Sequence, residues 1–500
     1  MKYYQFMNQI SSDLIYEGLL GYGMFSEKLP PFLSSYDFYK LCSTKRNQFS
    51  SHPRGYIHYD TIRNNGIPRA MGIPTPMSYN NLCMSIKNNW KELQNIFYKN
   101  TMNESHKVSR IHIRSIKTSK KIFEMNYKNF KIDGTPDLDL LIGKKYMVSA
   151  DISSCFPSIY THSISWALIG KKEAKIEKTN YKKWYNKMDK ATQDTTNGET
   201  HGVLIGPHTS NLLSEVILTS IDKNLTPKYD YVRNIDDYTC YVSSHAEANL
   251  FLLDLASELR GYGLLLNHKK TKIIELPLAS KNDWVRELSA AIPSSEPVKF
   301  NEVRDFIDKA VEVMRNNNNN AAILNYAIKT LSKKNLTSNA RICFIKTYFH
   351  LILIYPYLIT LFEDYLIGPL TITSGEMVDF INKLYTQEVK VQNYEAVCFS
   401  LYFGIKYNII INDYKFVDAK ESGNCIFLLL AFLYTQSRKE PVIDFIDLAK
   451  DLITTEHDFY ENWLFVYEVL SAKDFSGSWN NKYWGEWKEL KNAKITFISW

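Results

Sequence analysis

Three aspartates stand out for what they could do together. Asp151 closes a short apolar run, YMVSA at 146–150. Some 85 residues later Asp236 and Asp237 stand between two further runs, YDYVRNI at 229–235 and YTCYV at 238–242. Carboxylates brought to one point from separate runs suit a hard divalent cation, which takes oxygen ligands. Two such cations about 4 Å apart can activate an attacking hydroxyl and hold a triphosphate with its leaving oxygen. The chemistry implied is nucleotidyl transfer with Mg²⁺, or Mn²⁺.

That chemistry needs rigid elements to hold it. The length and β-branched content of 146–150 predict a buried strand with Asp151 at its end. The runs around Asp236 and Asp237 predict a hairpin with the pair at its tip. Between these blocks, Gly198, Gly202 and Gly206 precede a helical stretch from about Thr209 to Asp222. A glycine turn before a helix lets backbone approach a base or sugar closely. Helical spacing also covers 79–96, and 109–123 interleaves apolar and basic residues as a strand or hairpin would. After about Pro277 the texture changes to amphipathic helices, at 323–332, 340–355, 375–385, 425–436 and 441–454, with a polar break at 315–320. These predict an α+β unit over 1–280 followed by an all-helical unit over 281–500.

Composition narrows the class only a little. The net charge of +7 tolerates a nucleic-acid groove without requiring one. Seven scattered cysteines with no CxxC pair argue against a zinc ribbon and predict reduced thiols in a cytosol. The first residues lack the apolar core of a signal peptide. The most apolar runs are too short to span a bilayer, so no membrane association is expected.

Four blocks in order resemble the palm motifs of reverse transcriptases. Asp151 and its followers (DISSCFPSIY) resemble the first, Gly206–Ser210 the glycine-containing second, Asn234–Asp237 the Tyr-x-Asp-Asp block, and Leu264–Ile273 the Leu-x-Leu-Asn block with its following Lys-Thr. The resemblance implies that Asp151 and Asp236 bind the metals with the backbone carbonyl of Ile152, and that Asp237 supports them. Phe156 falls where the family excludes a 2′-hydroxyl. Lys270 falls where a cation could neutralise or protonate the leaving pyrophosphate. Gly206 and Ser210 fall beside the incoming nucleotide. The basic stretch 106–121 lies where the family's fingers meet triphosphate. As a strand it puts Arg110 and Arg114 on one face, with Lys117 a weaker third. Two positions depart from the family: Asn234 replaces its Tyr, and Leu204-Ile205 replaces Pro-Gln before Gly206.

The segments at 29–35, 69–76, 156–175 and 206–215 resemble more closely the bacterial abortive-infection (Abi, AbiK-like) antiphage reverse transcriptases. That resemblance implies fingers and an antiparallel palm sheet with helices, followed by an all-α HEAT-repeat-like domain in place of a thumb. It implies untemplated DNA synthesis from dNTPs primed on a tyrosine hydroxyl, a single-stranded DNA product left covalently attached, a homo-oligomer, and a phage protein as trigger. Tyr3, Tyr4, Tyr16, Tyr22, Tyr36 and Tyr39 precede the fingers, and the sequence does not choose among them or exclude later tyrosines. Two other readings stay open. One is a templated RNA-directed DNA polymerase of retron or intron type. The other is a non-catalytic phage-sensing scaffold.

Overall fold

The computed structural model describes residues 2–45, 49–63, 66–111, 134, 136–279, 283–476, 479 and 483–500. Two antiparallel sheets form. Strands β1 (Tyr56–Ile62) and β2 (Pro68–Pro74) make a hairpin paired from Tyr56↔Pro74 to Ile62↔Pro68. The second sheet holds β3 (Tyr146–Asp151), β4 (Asp230–Asn234), β5 (Asp237–Val242) and β6 (Lys272–Glu275), in the order β4-β5-β3-β6. All its pairings are antiparallel. The expected apolar runs are therefore strands, and the hairpin turn consists of Ile235 and Asp236 alone.

Two helices back this sheet. His208–Leu225 is buried on nearly every side, so it runs through the core rather than along a surface. His245–Gly261 starts at Ser244, whose hydroxyl accepts from the Glu247 N–H. The stretch 79–96, read as one helix, is two: Pro76–Asn88 and Trp90–Thr101. They break at Asn89, which lies outside helical φ/ψ and whose amide donates to the Ser85 carbonyl.

After β6 every named element among the described residues is a helix. Local sequence explains several starts. Thr373 and Glu376 form a capping box for Ser374–Lys390, and Asn424 accepts two N–H groups at the head of Cys425–Ser437. Cys425–Ser437 is apolar all round and accordingly central, packed between Tyr394–Lys406 and Trp463–Val469. No helix among the described residues is long and apolar enough to cross a membrane. The seven cysteines are free thiols.

The two parts expected from sequence share one core. The chain end returns to the start: the Ser34 N–H donates to Phe497 O, and the Ser499 N–H donates to Phe32 O, both at 2.8 Å. Phe497 is fully buried, and its ring meets Phe25, Phe38, Trp463 and Tyr467. Buried Arg54 pairs with Glu486 at 2.7 Å. Glu395, from the helical half, accepts the Ile62 N–H at the end of β1 at 2.7 Å.

Glu395 makes this contact sensitive to pH. Burial pushes its carboxyl up to about 7, against the lowering effect of the Ile62 N–H. An acid whose pKa is raised by folding stabilises the fold fully below its unfolded pKa, and that contribution is lost as pH rises through the folded value. Glu395→Gln keeps the acceptor and cannot ionise. Relative to wild type it is expected to gain stability of the order of 3 kcal/mol at pH 8 and little below pH ~4.5, measured by denaturant unfolding across that range.

Candidate functional site

The register of the sheet gathers the aspartates. Asp151, the last residue of β3, lies directly opposite Asp237, the first of β5. Asp236 sits in the turn just before, and the Ile152 N–H donates to its carbonyl at 3.1 Å. Opposite-facing ends of two paired strands thus carry two carboxylates, and the two-residue turn adds the third.

The segment after Gly263 closes the other side of Asp151. Ser153 N–H donates to Leu265 O (2.8 Å), and Asn267 N–H to Asp151 O (2.7 Å). The Asn267 side chain then donates to Asp151 Oδ1 at 2.9 Å, and Lys270 Nζ reaches Oδ2 at 2.8 Å. Asp151 is buried, whereas the Lys270 side chain is 64% exposed. Lys270 is therefore held at the site by its tip alone and can swing to another anion.

The site is electrostatically crowded. Loss of solvent raises the Asp236 carboxyl, its own backbone N–H opposes that, and the Asp151 charge raises it further. Lys270 and Arg69 pull it back. Asp237 is pushed up to about 6, first by loss of solvent, then by Asp236 and by Asp151. The hydrogen bond to Asp151 is the main influence raising the Lys270 ammonium.

This donor set fits a hard divalent cation: the side chains are all carboxylates, and their mutual repulsion is what such an ion relieves. In the positions seen here, no three Asp, Glu, His or Cys side chains among the described residues are gathered tightly enough to hold an ion. The reason is visible at Asp151, whose two oxygens are turned to Asn267 and Lys270. The Lys270 ammonium supplies positive charge where an ion would.

Below the site lies a buried ionic knot. Arg233 on β4 is fully buried, as are Glu215 and Asp222 on helix His208–Leu225. All five guanidinium N–H groups are used. Nε donates to Asp222, Nη1 to Glu215 (2.7 Å) and Ile235 O (2.9 Å), and Nη2 to Asp222 (2.6 Å) and Glu215 (3.3 Å). Ser109 donates to Glu215 and Tyr231 to Asp222. Burial alone would lower the guanidinium pKa, but the two carboxylates outweigh it and Arg233 stays charged. The bond to Ile235 O matters because Ile235 has φ 57°. That region is a genuine outlier for a β-branched residue, and Arg233 clamps the turn that presents Asp236.

The other sequence-predicted residues fall around this frame. Phe156 is nearly buried in the short turn Cys155–Ser158, and its carbonyl accepts the Val203 N–H at 3.0 Å. Gly206 has φ 128°, and a Cβ there would meet Gly72 O at 3.4 Å. Gly72 N–H in turn donates to Ile205 O, so this segment is pressed onto β2. Ser210 is buried in the first turn of its helix. Arg110 is also buried: its side chain donates to Gly134 O, and its backbone N–H donates to Arg233 O. The expected strand face is thus directed inward at Arg110, because that backbone pairs beside β4. Arg114 and Lys117 lie outside the described residues. Among the early tyrosines Tyr3 and Tyr16 are buried, while Tyr4, Tyr22, Tyr36 and Tyr39 are partly exposed.

Sequence reasoning placed Asn267 in a motif without giving it a role, and passed over Arg69 and the Arg233 knot. A signal for the knot existed. Glu215 and Asp222 are two helical turns apart in an apolar helix, and Arg233 alternates with Tyr231 in an apolar strand. Cavities do not mark the site. One of about 440 Å³ lies between Gly21–Ser35 and residues 359–364, and another of about 430 Å³ lies between helices Ser338–Ile354 and Ser374–Lys390. The aspartates instead occupy the open end of a sheet.

One family model matches the region that holds the site. Residues 80–301 match the family model described as reverse transcriptase (RNA-dependent DNA polymerase). The match takes in β3 to β6 and all three aspartates, so the chain carries a reverse-transcriptase domain. No curated protein matches. Similar solved structures include telomerase from Candida albicans with a fragment of telomeric RNA, at 12% identity and TM-score 0.21, covering 49% of this chain and 47% of that one. Apo telomerase from Candida tropicalis is similar at 14% identity and TM-score 0.31, covering 75% of each chain. The chain spans about half the length of the first of these.

The ionic knot predicts a specific sensitivity. Arg233→Met leaves Glu215 and Asp222 buried without a counter-charge, held by Ser109 and Tyr231, and is expected to cost roughly 3–5 kcal/mol. Arg233→Lys should rescue only part, because a point charge cannot make the five-bond fork. Urea unfolding of both variants measures the difference. Equal stability of Arg233→Met and wild type would contradict the assignment.

Proposed function

We propose that this protein is a DNA polymerase that joins deoxynucleotides without copying a template. The observation that carries the catalytic part is the pairing of Asp151 with Asp237 across β3 and β5, with Asp236 in the adjoining turn. Asp151, Asp236 and Asp237 would hold two Mg²⁺ or Mn²⁺ ions, with the Ile152 backbone beside them. When bound, the ions supply the activated nucleophile and the charge that stabilises the leaving oxygen. Lys270, now bonded to Asp151 Oδ2, would carry its proton and charge to the leaving pyrophosphate and so free that oxygen as a ligand. Its exposed stem allows that movement. Phe156 would pack against the sugar, and Arg114, Lys117, Gly206 and Ser210 remain assigned to nucleotide binding by resemblance, whereas the buried Arg110 would only position its own segment.

Template independence is supported by the second palm segment. Ile205 stands where the family has its polar Gln, and Leu204 beside it packs so closely on β2 that a Cβ on Gly72 would lie 2.7 Å from it. A template nucleotide could not pass between β2 and this segment as they stand. The helical half in place of a thumb, a HEAT-like arrangement, the tyrosine primer, the homo-oligomer and the antiphage role rest on the resemblance to abortive-infection enzymes. The competing reading, templated synthesis, is favoured by the family model's description.

One assay separates these readings. Purified protein with dNTPs and Mg²⁺ alone is expected to make DNA that stays attached after denaturation and is freed by protease. Synthesis only on an added template and primer would instead establish templated copying. Joint Asp236→Ala and Asp237→Ala replacement is expected to lower incorporation by about a thousandfold or more and to abolish protection against phage in plating assays. Full protection by that variant would favour a scaffold.

A further inference from the structure

A lobe of the palm beyond the aspartates has features that nucleotidyl transfer does not use. Between 171 and 187 the chain places seven lysines against Glu173 and Glu177. That is a net +5 in 17 residues, of +7 for all 500. All seven lysines are exposed. Tyr181 is 57% exposed among them, and Trp184 is half-buried.

This lobe is joined to the site by a short antiparallel ribbon. The Val203 N–H donates to Phe156 O, Gly202 N–H to Ile159 O, and Thr161 N–H to Thr200 O, with Tyr160 opposite His201. The ribbon begins five residues after Asp151 and ends in a group of partly exposed rings. Tyr160 lies 5.0 Å from His201, 4.8 Å from His162 and 5.6 Å from Trp166, centroid to centroid. Lys171 Nζ stands 4.1 Å above the Trp166 ring.

The lobe is rigid enough to be a platform. His162 pairs with Asp189, Ser165 donates to Tyr185 O, and the Asn186 amide donates to Glu177 O and Asn180 O. These bonds fold the lysine-rich segment back onto helix His162–Ile169, and Lys178 acts electrostatically on His162. Exposed aromatic rings beside ammonium groups on an ordered support are what single-stranded nucleic acid requires: stacking surfaces for bases and cations for phosphates. Duplex DNA hides its bases and could use only the charge.

We propose that this lobe, from Tyr160 and Trp166 to Lys187, is a docking surface for single-stranded DNA that leads away from the aspartate site. It rests on the polymerase reading for where the strand comes from, but not for the binding itself. A solvated lysine face without stacking is the competing account, and the two differ in strand preference and in the effect of Tyr181.

The test uses the full chain, with chelator and without dNTPs, so that no synthesis is involved. A fluorescent thymidylate oligomer of about 15 nucleotides is titrated by anisotropy at several salt concentrations. Joint Lys178→Glu, Lys182→Glu and Lys183→Glu replacement is expected to weaken binding at least ~tenfold and to flatten the log–log salt slope by about 2. Tyr181→Ala should weaken it about tenfold with little change in slope. A control variant carrying Lys390→Glu, Lys415→Glu and Lys420→Glu makes the same charge change at exposed sites in the helical half. Losses no larger than in that control, or duplex bound as tightly as single strand, would overturn the proposal. Because binding is read without catalysis, a protein that makes no DNA but shows these losses would sink only the polymerase reading. One that makes DNA but binds normally when altered would sink only this one.

Discussion

Arg233 is the charge on which the palm depends. It is sealed from water between two carboxylates of the central helix, so its removal would strand both in a low-dielectric interior. Its remaining bond, to Ile235 O, ties that interior to the turn carrying Asp236. A buried ion pair is weak evidence for net stability, because desolvation offsets its attraction. Geometric specificity is the better account here. Five directed N–H bonds fix the angle between helix and strand, and with it the position of a strained turn that no β-branched residue would adopt unaided. The same interior holds Glu104, whose carboxyl is pushed up to about 8, first by burial and then by Asp222. It is thus largely protonated near neutrality and does not add a third negative charge.

Above the knot the electrostatic problem is reversed. Three carboxylates converge at an open sheet end, where loss of solvent and then mutual repulsion raise two of them and Lys270 partly compensates. Fixed internal cations would neutralise such a site permanently and would compete with any divalent ion it took up. A lysine held only at its tip answers both needs: it balances charge at rest and can leave.

The helical half is part of the same body. The chain's last residues lie along Phe32 and Ser34, and Glu395 and Glu486 hold the fingers hairpin and the segment before it. The β1–β2 hairpin is therefore braced from behind by helices and from the front by Leu204. That bracing ties β2 to the second palm segment through the Leu204 side chain and the bond from Gly72 N–H to Ile205 O.

The sequence by itself determined β3, the two strands of the β4–β5 hairpin and the helical character of the second half, and it singled out the three aspartates. Each of these follows from local periodicity, chain reach or turn chemistry, which neighbours in sequence decide. Asp151 also stood apart as a carboxylate ending an apolar run. The hairpin turn falls one residue earlier than expected, and β1, β2 and β6 were not legible. What only the tertiary structure decided are relations between distant residues. Asn267 and Lys270 meet Asp151 more than a hundred positions away, and Arg110 turns inward because its backbone pairs beside β4. The single 79–96 helix becomes two at Asn89, and Glu215, Asp222 and Arg233 become one ionic group although each alone reads as an ordinary charged residue. The expected division near 280 marks a change of secondary structure but not of packing. Helical periodicity says which face is apolar, not what covers it, and here the residues that cover it come from the other end of the chain.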